Sequence, residues 1–195
     1  MTTQSCAPLR AGRVCAALTL GILAQADVPA VAAANWRIDP ARTHIAFAID
    51  AVGYPRTHGQ FRQFAGRISV DFEHPDKSSV SFHVQSQSVD VGSSSFDDYL
   101  RSVAFLDSTR FPSIDFVSSS VAKVDDHTVR VTGELTLLGV THPLSVDVAV
   151  QREGGGRLAF LAKTNIDRLE YGMNSGFPLV SRDVELVISS AVVEL

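Results

Sequence analysis

The chain has 195 residues, 17 lysines and arginines against 21 aspartates and glutamates, and a net charge of −4. That length supports one domain with a sizeable core, and the mild acidity is the wrong sign for a nucleic-acid partner, which needs a basic stripe. The only two cysteines, Cys6 and Cys15, both lie near the N-terminus, so neither a disulfide framework nor a thiolate metal site is available to the rest of the chain.

Residues 1–34 carry the three regions of a secretory signal peptide. Arg10 and Arg13 make a positive n-region, Val14 to Ala24 is an apolar run, and Ala30 to Ala34 offers small residues for cleavage. Gln25, Asp27 and Pro29 interrupt the run before it reaches the ~20 residues of a membrane span. Arg10 and Arg13 are not adjacent, which argues against a twin-arginine signal, and Cys15 opens the apolar run instead of following it, the wrong place for lipoprotein acylation. The expected mature domain is 35–195, periplasmic or secreted and free of cysteine. No apolar stretch within it is long enough to span a bilayer.

From Ile45 onward the rhythm is period two. Apolar residues alternate with polar ones in Ile45-Phe47-Ile49, Ile68-Val70-Phe72, Val80-Phe82-Val84 and Ile114-Phe116. The pattern continues in Val129-Val131 through Leu135-Leu137, Leu144-Val146-Val148-Val150, Leu158-Phe160-Ala162 and Val184-Leu186-Ile188. Successive strand side chains point to opposite faces, so each segment has one buried and one wet face. That predicts about eight antiparallel strands. Asp125-Asp126-His127 marks one hairpin, Gly139 to His142 a second with Pro143 at a strand start, and Gly154-Gly155-Gly156 a third. Consecutive hairpins make an up-and-down meander, which closes naturally into a barrel. One helix is expected over Ser95 to Leu106. Ser95 can cap it, Asp97 and Asp98 suit its positive end, and Phe96, Leu100 and Ala104 share a face. The predicted fold class is all-β with this one short helix.

Chemistry-bearing motifs are sparse. The six histidines form neither H-x-H nor H-E-x-x-H, and are expected on the surface, with His83 on a polar strand face and His127 and His142 in turns. There is no G-x-S-x-G elbow. Asp97 and Asp98 are adjacent on a helix, point ~100° apart and cannot flank one bond. No catalytic group, metal or cofactor is predicted. The apolar face remains. A filled core, as in a β-sandwich, explains its alternation as well as a cavity does, because a barrel of about eight strands either fills with side chains or holds one small ligand.

Three segments stand in order: Leu100-Arg101-Ser102 with Phe105-Leu106-Asp107, then Phe111-Pro112-Ser113-Ile114-Asp115-Phe116, then Gly133-Glu134-Leu135-Thr136-Leu137-Leu138-Gly139-Val140-Thr141-His142-Pro143. From about Trp36 to Leu195 the chain resembles the YceI-like family, small secreted proteins with a lipocalin-like barrel that bind long isoprenoid chains. The resemblance implies an antiparallel eight-stranded lipocalin-like barrel, a bound polyisoprenoid or isoprenoid quinone, and no enzymatic activity. On that reading Ile45, Phe47, Phe82, Val84, Phe116, Leu135 and Phe160, which share parity within their strands, line the interior and touch the lipid. Arg56 and His58, with Arg62 and Arg110, are the head-group candidates at the mouth. The acidic balance favours a neutral or quinone-like head over a pyrophosphate. Leu100-Arg101-Ser102 is expected to be architectural, with Arg101 bonded to backbone carbonyls or a carboxylate near Asp107.

The chain departs from the family pattern in three places. Ala51 to Gly59 replaces a leucine-glycine-hydroxyl turn, Tyr171-Gly172-Met173 a phenylalanine-glycine-methionine, and Phe96 to Tyr99 lacks the usual arginine-aspartate pair. Two other readings stay open. One is an enzyme of isoprenoid or quinone chemistry using His58 or Asp107 as acid or base, which requires those groups to converge inside the cavity. The other is a structural β-domain with a solid core, which requires that no apolar tunnel exist. The sequence sets no oligomeric state, and a homodimer is compatible with it.

Overall fold

The computed structural model describes residues 34–38, 40–71, 73–153 and 157–193, all within one compact unit, Ala32–Leu195. The predicted signal segment up to Ala33, Phe72 and the Gly154-Gly155-Gly156 turn lie outside the described residues. The strands are β1 (Ala34–Arg37), β2 (Thr43–Ala51), β3 (Thr57–Phe61), β4 (Phe64–Val70), β5 (Ser79–Gln85) and β6 (Val89–Asp90). After helix α1 (Ser94–Arg101) come β7 (Ser113–Lys123), β8 (Thr128–Leu137), β9 (Val140–Glu153), β10 (Arg157–Asp167) and β11 (Val180–Val193). They pair antiparallel in one curled sheet of 11 strands, in the order β1-β4-β5-β7-β8-β9-β10-β11-β2-β3-β6.

The fold is all-β with one α-helix among the described residues, but the expectation of eight strands is corrected to eleven. Every alternating run does form a strand. The additional ones are β1, β3 and β6, too short or too polar to show alternation. In β3 the cause is Gly59. A Cβ there would stand 2.3 Å from the Phe47 ring, so the strand can approach β2 only with glycine at the position where an apolar residue would have revealed it. β3 and β4 lie near opposite ends of the hydrogen-bonded order, yet only Arg62 and Gln63 separate them in sequence. The sheet therefore curls back until its two flanks meet at that link.

Two local irregularities set which residues face inward. A bulge between Ser118 and Ser120 in β7 shifts the register. Phe116 faces in and Val117 out before it, whereas Val121 is buried after it. The β8–β9 connection is tighter than expected. Leu137 pairs with Val140, leaving Leu138 and Gly139 at φ 53 and 74 as a two-residue turn. Val140 to His142 therefore belong to β9 and not to the turn. Left-handed backbone costs Leu138 about 1 kcal/mol, offset by its packing against a buried cluster.

The helix is shorter than expected and ends at Arg101. Ser93, not Ser95, is its N-cap, and Ser102 turns extended at φ −69, ψ 170. The chain then folds back on itself. Leu106 N donates to Leu100 O (2.9 Å), Ser108 N to Arg101 O (3.0 Å), and both Phe105 N (3.1 Å) and Asp107 N (2.9 Å) to Ser102 O. The second half of the Leu-Arg-Ser signature thus satisfies the carbonyls that the helix end leaves open. Asp97 is buried and accepts from Val91 N at 2.7 Å. Arg101 donates to Gln87 O and Val89 O, each at 2.8 Å, and to Asp98 at 3.0 Å.

Buried apolar residues gather at two ends of the curled sheet. Val89, Phe105, Leu106, Leu135, Leu137, Tyr171 and Met173 cluster by α1. Ile38, Ile68, Leu158 and Val192 cluster at the opposite end.

Candidate binding cavity

Between these clusters runs a cavity of about 1400 Å³, larger than the ~300–1,000 Å³ of drug-sized ligand pockets. Ile45, Phe47, Phe82, Val84, Phe116, Leu135 and Phe160 all line it. Register brings them together: Phe82 pairs with Phe116, Phe116 with Leu135, and Phe47 with Leu186. The Phe47 and Phe61 rings are 5.6 Å apart. The wall is thus made of phenylalanine and branched aliphatic side chains, a surface that rewards hydrocarbon and offers few fixed hydrogen bonds. The buried Ser190 hydroxyl of this wall is satisfied by Thr43 Oγ1 at 2.7 Å.

At the α1 end, Phe96, Tyr99 and Leu100 from the helix line the cavity, as do Tyr54, Pro55 and Val180. Phe96 and Tyr99 stack at 6.3 Å, and Tyr99 meets Phe105 edge-on at 5.1 Å. Arg168 lines the same end although it is only 1% exposed. Its guanidinium donates to Ser181 O (2.7 Å), Ser175 O (2.8 Å), Val180 O (3.0 Å) and Met173 O. Burial pushes its pKa below the usual arginine value, with the Asp167 charge opposing. An arginine does not deprotonate in proteins, so the carbonyls hold a permanent cation and the cation holds the 168–180 loop. Sequence reasoning missed this residue. The signal was present, because the inward parity of Leu158, Phe160 and Ala162, carried along β10, reaches position 168 just past its end.

Nearby, burial and then the Glu170 charge push the Tyr171 hydroxyl above its ordinary pKa. The His142 ring stands edge-on to Tyr171 at 5.1 Å and its Nε2 bonds Glu170 O at 3.1 Å. His142 is therefore a strand residue, not the turn histidine expected.

The opposite end of the cavity is charged. Lys123, Asp125, Asp126, His127 and Arg152 border it. Lys123 Nζ donates to Asp126 at 2.7 Å and His127 N to Asp125 at 2.8 Å. Asp71, buried beside them, accepts from the amides of His74 (2.8 Å) and Glu73 (3.0 Å). Those bonds hold its carboxyl below the usual carboxylate range, against the effect of burial.

The cations expected at the mouth are not brought to the cavity. Arg56 pairs with Glu185 and, at 3.4 Å, with Asp50 on the outer wall. His58 is exposed, because Thr57 and Phe61 take the inward parity of β3. Arg62 pairs with Asp90, and Arg110 stands 5.1 Å over the Phe111 ring. The head-group assignment of Arg56 and His58 is corrected accordingly. His58 and Asp107 do not converge in the cavity either.

On the outer wall, His83 Nδ1 lies 2.6 Å from Asp115 Oδ1, and Ser113 Oγ donates to Asp115 Oδ2 at 2.6 Å. The carboxylate sits between hydroxyl and imidazole, so this is not a nucleophile–base relay, in which the base must touch the nucleophile. Among the described residues no three histidine, cysteine or acidic side chains converge as a metal site, and no helix is long and apolar enough to cross a membrane.

A YceI-like domain model matches residues 36–192. Protein YceI of Salmonella arizonae is 33% identical over 164 residues, covering 80% of this chain and 85% of that one. Burkholderia cenocepacia BcnA has a similar structure, with a TM-score of 0.75 at 23% identity over 79% of this chain and 98% of that one. A polyisoprenoid binding domain from Saccharophagus degradans, implicated in plant cell wall breakdown, matches with a TM-score of 0.66 at 14% identity, covering 84% of this chain and 99% of that one.

Proposed function

The chain belongs to the YceI-like family, and on that premise we propose that it sequesters or carries a long-chain apolar lipid, a polyisoprenoid or isoprenoid quinone, with the curled sheet acting as a lipocalin-like barrel around it. The observation that carries this reading is the cavity of about 1400 Å³ walled by phenylalanine and branched aliphatic side chains. Hydrocarbon burial contributes about 0.8 kcal/mol per CH₂, an ample gross driving force for a chain of isoprene units even after association costs of order 4–15 kcal/mol. The polyisoprenoid binding domain of Saccharophagus degradans, with its similar fold, lends the ligand class support. The pairing of Arg56 and Arg62 with carboxylates favours a neutral, quinone-like head over a pyrophosphate.

In this reading the protein is a binder and not an enzyme, needs no cofactor, and acts in the periplasm or outside the cell once residues 1–34 are cleaved, leaving 35–195 as the lipid-binding domain. The test is mass spectrometry of an organic extract of natively purified protein. A stoichiometric prenyl lipid is expected. A protein that carries no lipid and takes up neither a polyprenol nor a long-chain quinone from detergent would reject the reading.

A further inference from the structure

The two ends of the cavity differ in a way that the binding of a lipid does not by itself require. At the α1 end, Val52, Tyr54, Tyr99, Val103, Phe177 and Leu179 are each at least half exposed, Val103 reaching 84% and Tyr54 77%. They stand on three neighbouring segments. Val52 N donates to Leu179 O at 2.8 Å, and Ala51 pairs with Val180. Tyr54 and Tyr99 both line the cavity that the segments surround. The opposite end is bordered by Lys123, Asp125, Asp126, His127 and Arg152.

Resting on the lipid-carrier reading above, we infer that the α1 end docks onto a phospholipid bilayer through these exposed side chains, so that the apolar ligand passes between membrane and cavity where Tyr54 and Tyr99 line the opening. Exposed apolar residues that cluster around an opening mark an interaction site, whereas scattered ones do not. Aliphatic tips with tyrosines at the rim are the composition that settles at the membrane interface. The one cation of α1, Arg101, is already paired within the protein with Asp98. Docking therefore does not depend on anionic lipid. The charged far end stays in water, which fixes the orientation. A bilayer, unlike a second copy of the chain, supplies hydrocarbon continuous with the cavity lining, so a ligand insoluble in water never crosses it.

The experiment uses the full chain in a Cys6→Ser/Cys15→Ser background. A polarity-sensitive fluorophore is placed at Val103→Cys or, as the far-end reference, at exposed Ala122→Cys, and vesicles of neutral phosphatidylcholine are added. Emission is expected to shift to the blue at position 103, equally at low and high salt, and not at 122. In parallel, Val52→Ser/Leu179→Ser should partition into those vesicles roughly a hundredfold less, about tenfold for each lost apolar side chain. That variant should load a prenyl lipid from detergent as the parent does. An unshifted 103, an equal shift at both positions, or an unchanged partition of the double variant overturns the inference. So does a shift at 103 that grows with protein concentration without vesicles, which would make this face a self-association surface. If position 103 enters vesicles but neither protein holds lipid loaded from detergent, the carrier reading falls and the docking stands.

Discussion

The α1 end and the opposite end of the cavity are built on different principles. The α1 end combines seven buried apolar residues with specific backbone hydrogen bonds made by the refolded Leu-Arg-Ser signature and the Arg168 hub. At the opposite end there are four buried apolar residues, and the charges of the 123–127 hairpin pair locally. The first arrangement tolerates little change, because removing a donor there leaves a buried carbonyl unsatisfied. The second leaves phenylalanines such as Phe82 and Phe160 facing open space on one side, where they lack the contacts a filled core would give. The lesson is a division of labour: one end fixes the frame, and the other half of the wall waits for hydrocarbon.

Arg168 is the place to break that comparison. Arg168→Met should leave four backbone carbonyls without their donor and cost about 3–5 kcal/mol, read from the urea midpoint of unfolding. Arg168→Lys should recover only part of it, because an ammonium cannot reach carbonyls on both sides of a planar fork. A loss no greater than that of a far-end substitution would mean the α1 end is not the frame. Next in size, Leu135→Ala removes a side chain buried in the α1 cluster and should cost about 3 kcal/mol. Phe160→Ala, taken from the cavity wall, should cost the empty protein less and yet reduce lipid retention more. Equal stability losses with equal retention would erase the distinction. Smaller again, Arg101→Ala should lower stability by about 1–2 kcal/mol through its bonds to Gln87 and Val89, while the mass of any co-purified lipid stays the same. Loss of lipid at unchanged stability would make Arg101 a ligand contact.

How much of this was legible in the sequence follows from what alternation can encode. Parity within each apolar run located Ile45, Phe47, Phe82, Val84, Phe116, Leu135 and Phe160 on the cavity wall, because a strand has only two faces. The same logic was blind to β3, where Gly59 stands in the apolar slot, and to β6, which is two residues long. The Leu138-Gly139 turn escaped because leucine rarely takes a positive φ; only its packing holds it there. Arg56 and His58 were placed at the mouth because they fall in the connection after the first long strand, and strand parity together with Asp50 and Glu185 keeps them outside. Arg168 was overlooked because a charged residue at an inward position reads as the end of a strand. The volume of the cavity has no counterpart in the alternation at all, since filled and open interiors use the same residues.

The smallest effect expected lies on the outer wall, which belongs to neither end and so serves as the control for both. Burial works to raise the pKa of Asp115, but hydrogen bonds from Ser113 and His83, with the His83 charge, hold it below the usual carboxylate range. A carboxyl depressed in the folded state contributes stability that is present above its unfolded pKa of about 3.9 and is lost as pH falls through the folded value. Asp115→Asn should therefore be slightly less stable than the parent at neutral pH. Both side chains of the pair are more than a third exposed, and screening at such a site holds the difference below about 1 kcal/mol. On acidification the two unfolding curves should converge below about pH 4, where the parent's carboxyl takes up its proton. Lipid retention should be the same in both proteins at every pH where they are folded, because the pair faces away from the cavity. A neutral-pH loss as large as that of Leu135→Ala, or a change in the bound lipid, would show that the outer wall is coupled to the cavity and would undo the separation of frame from ligand surface.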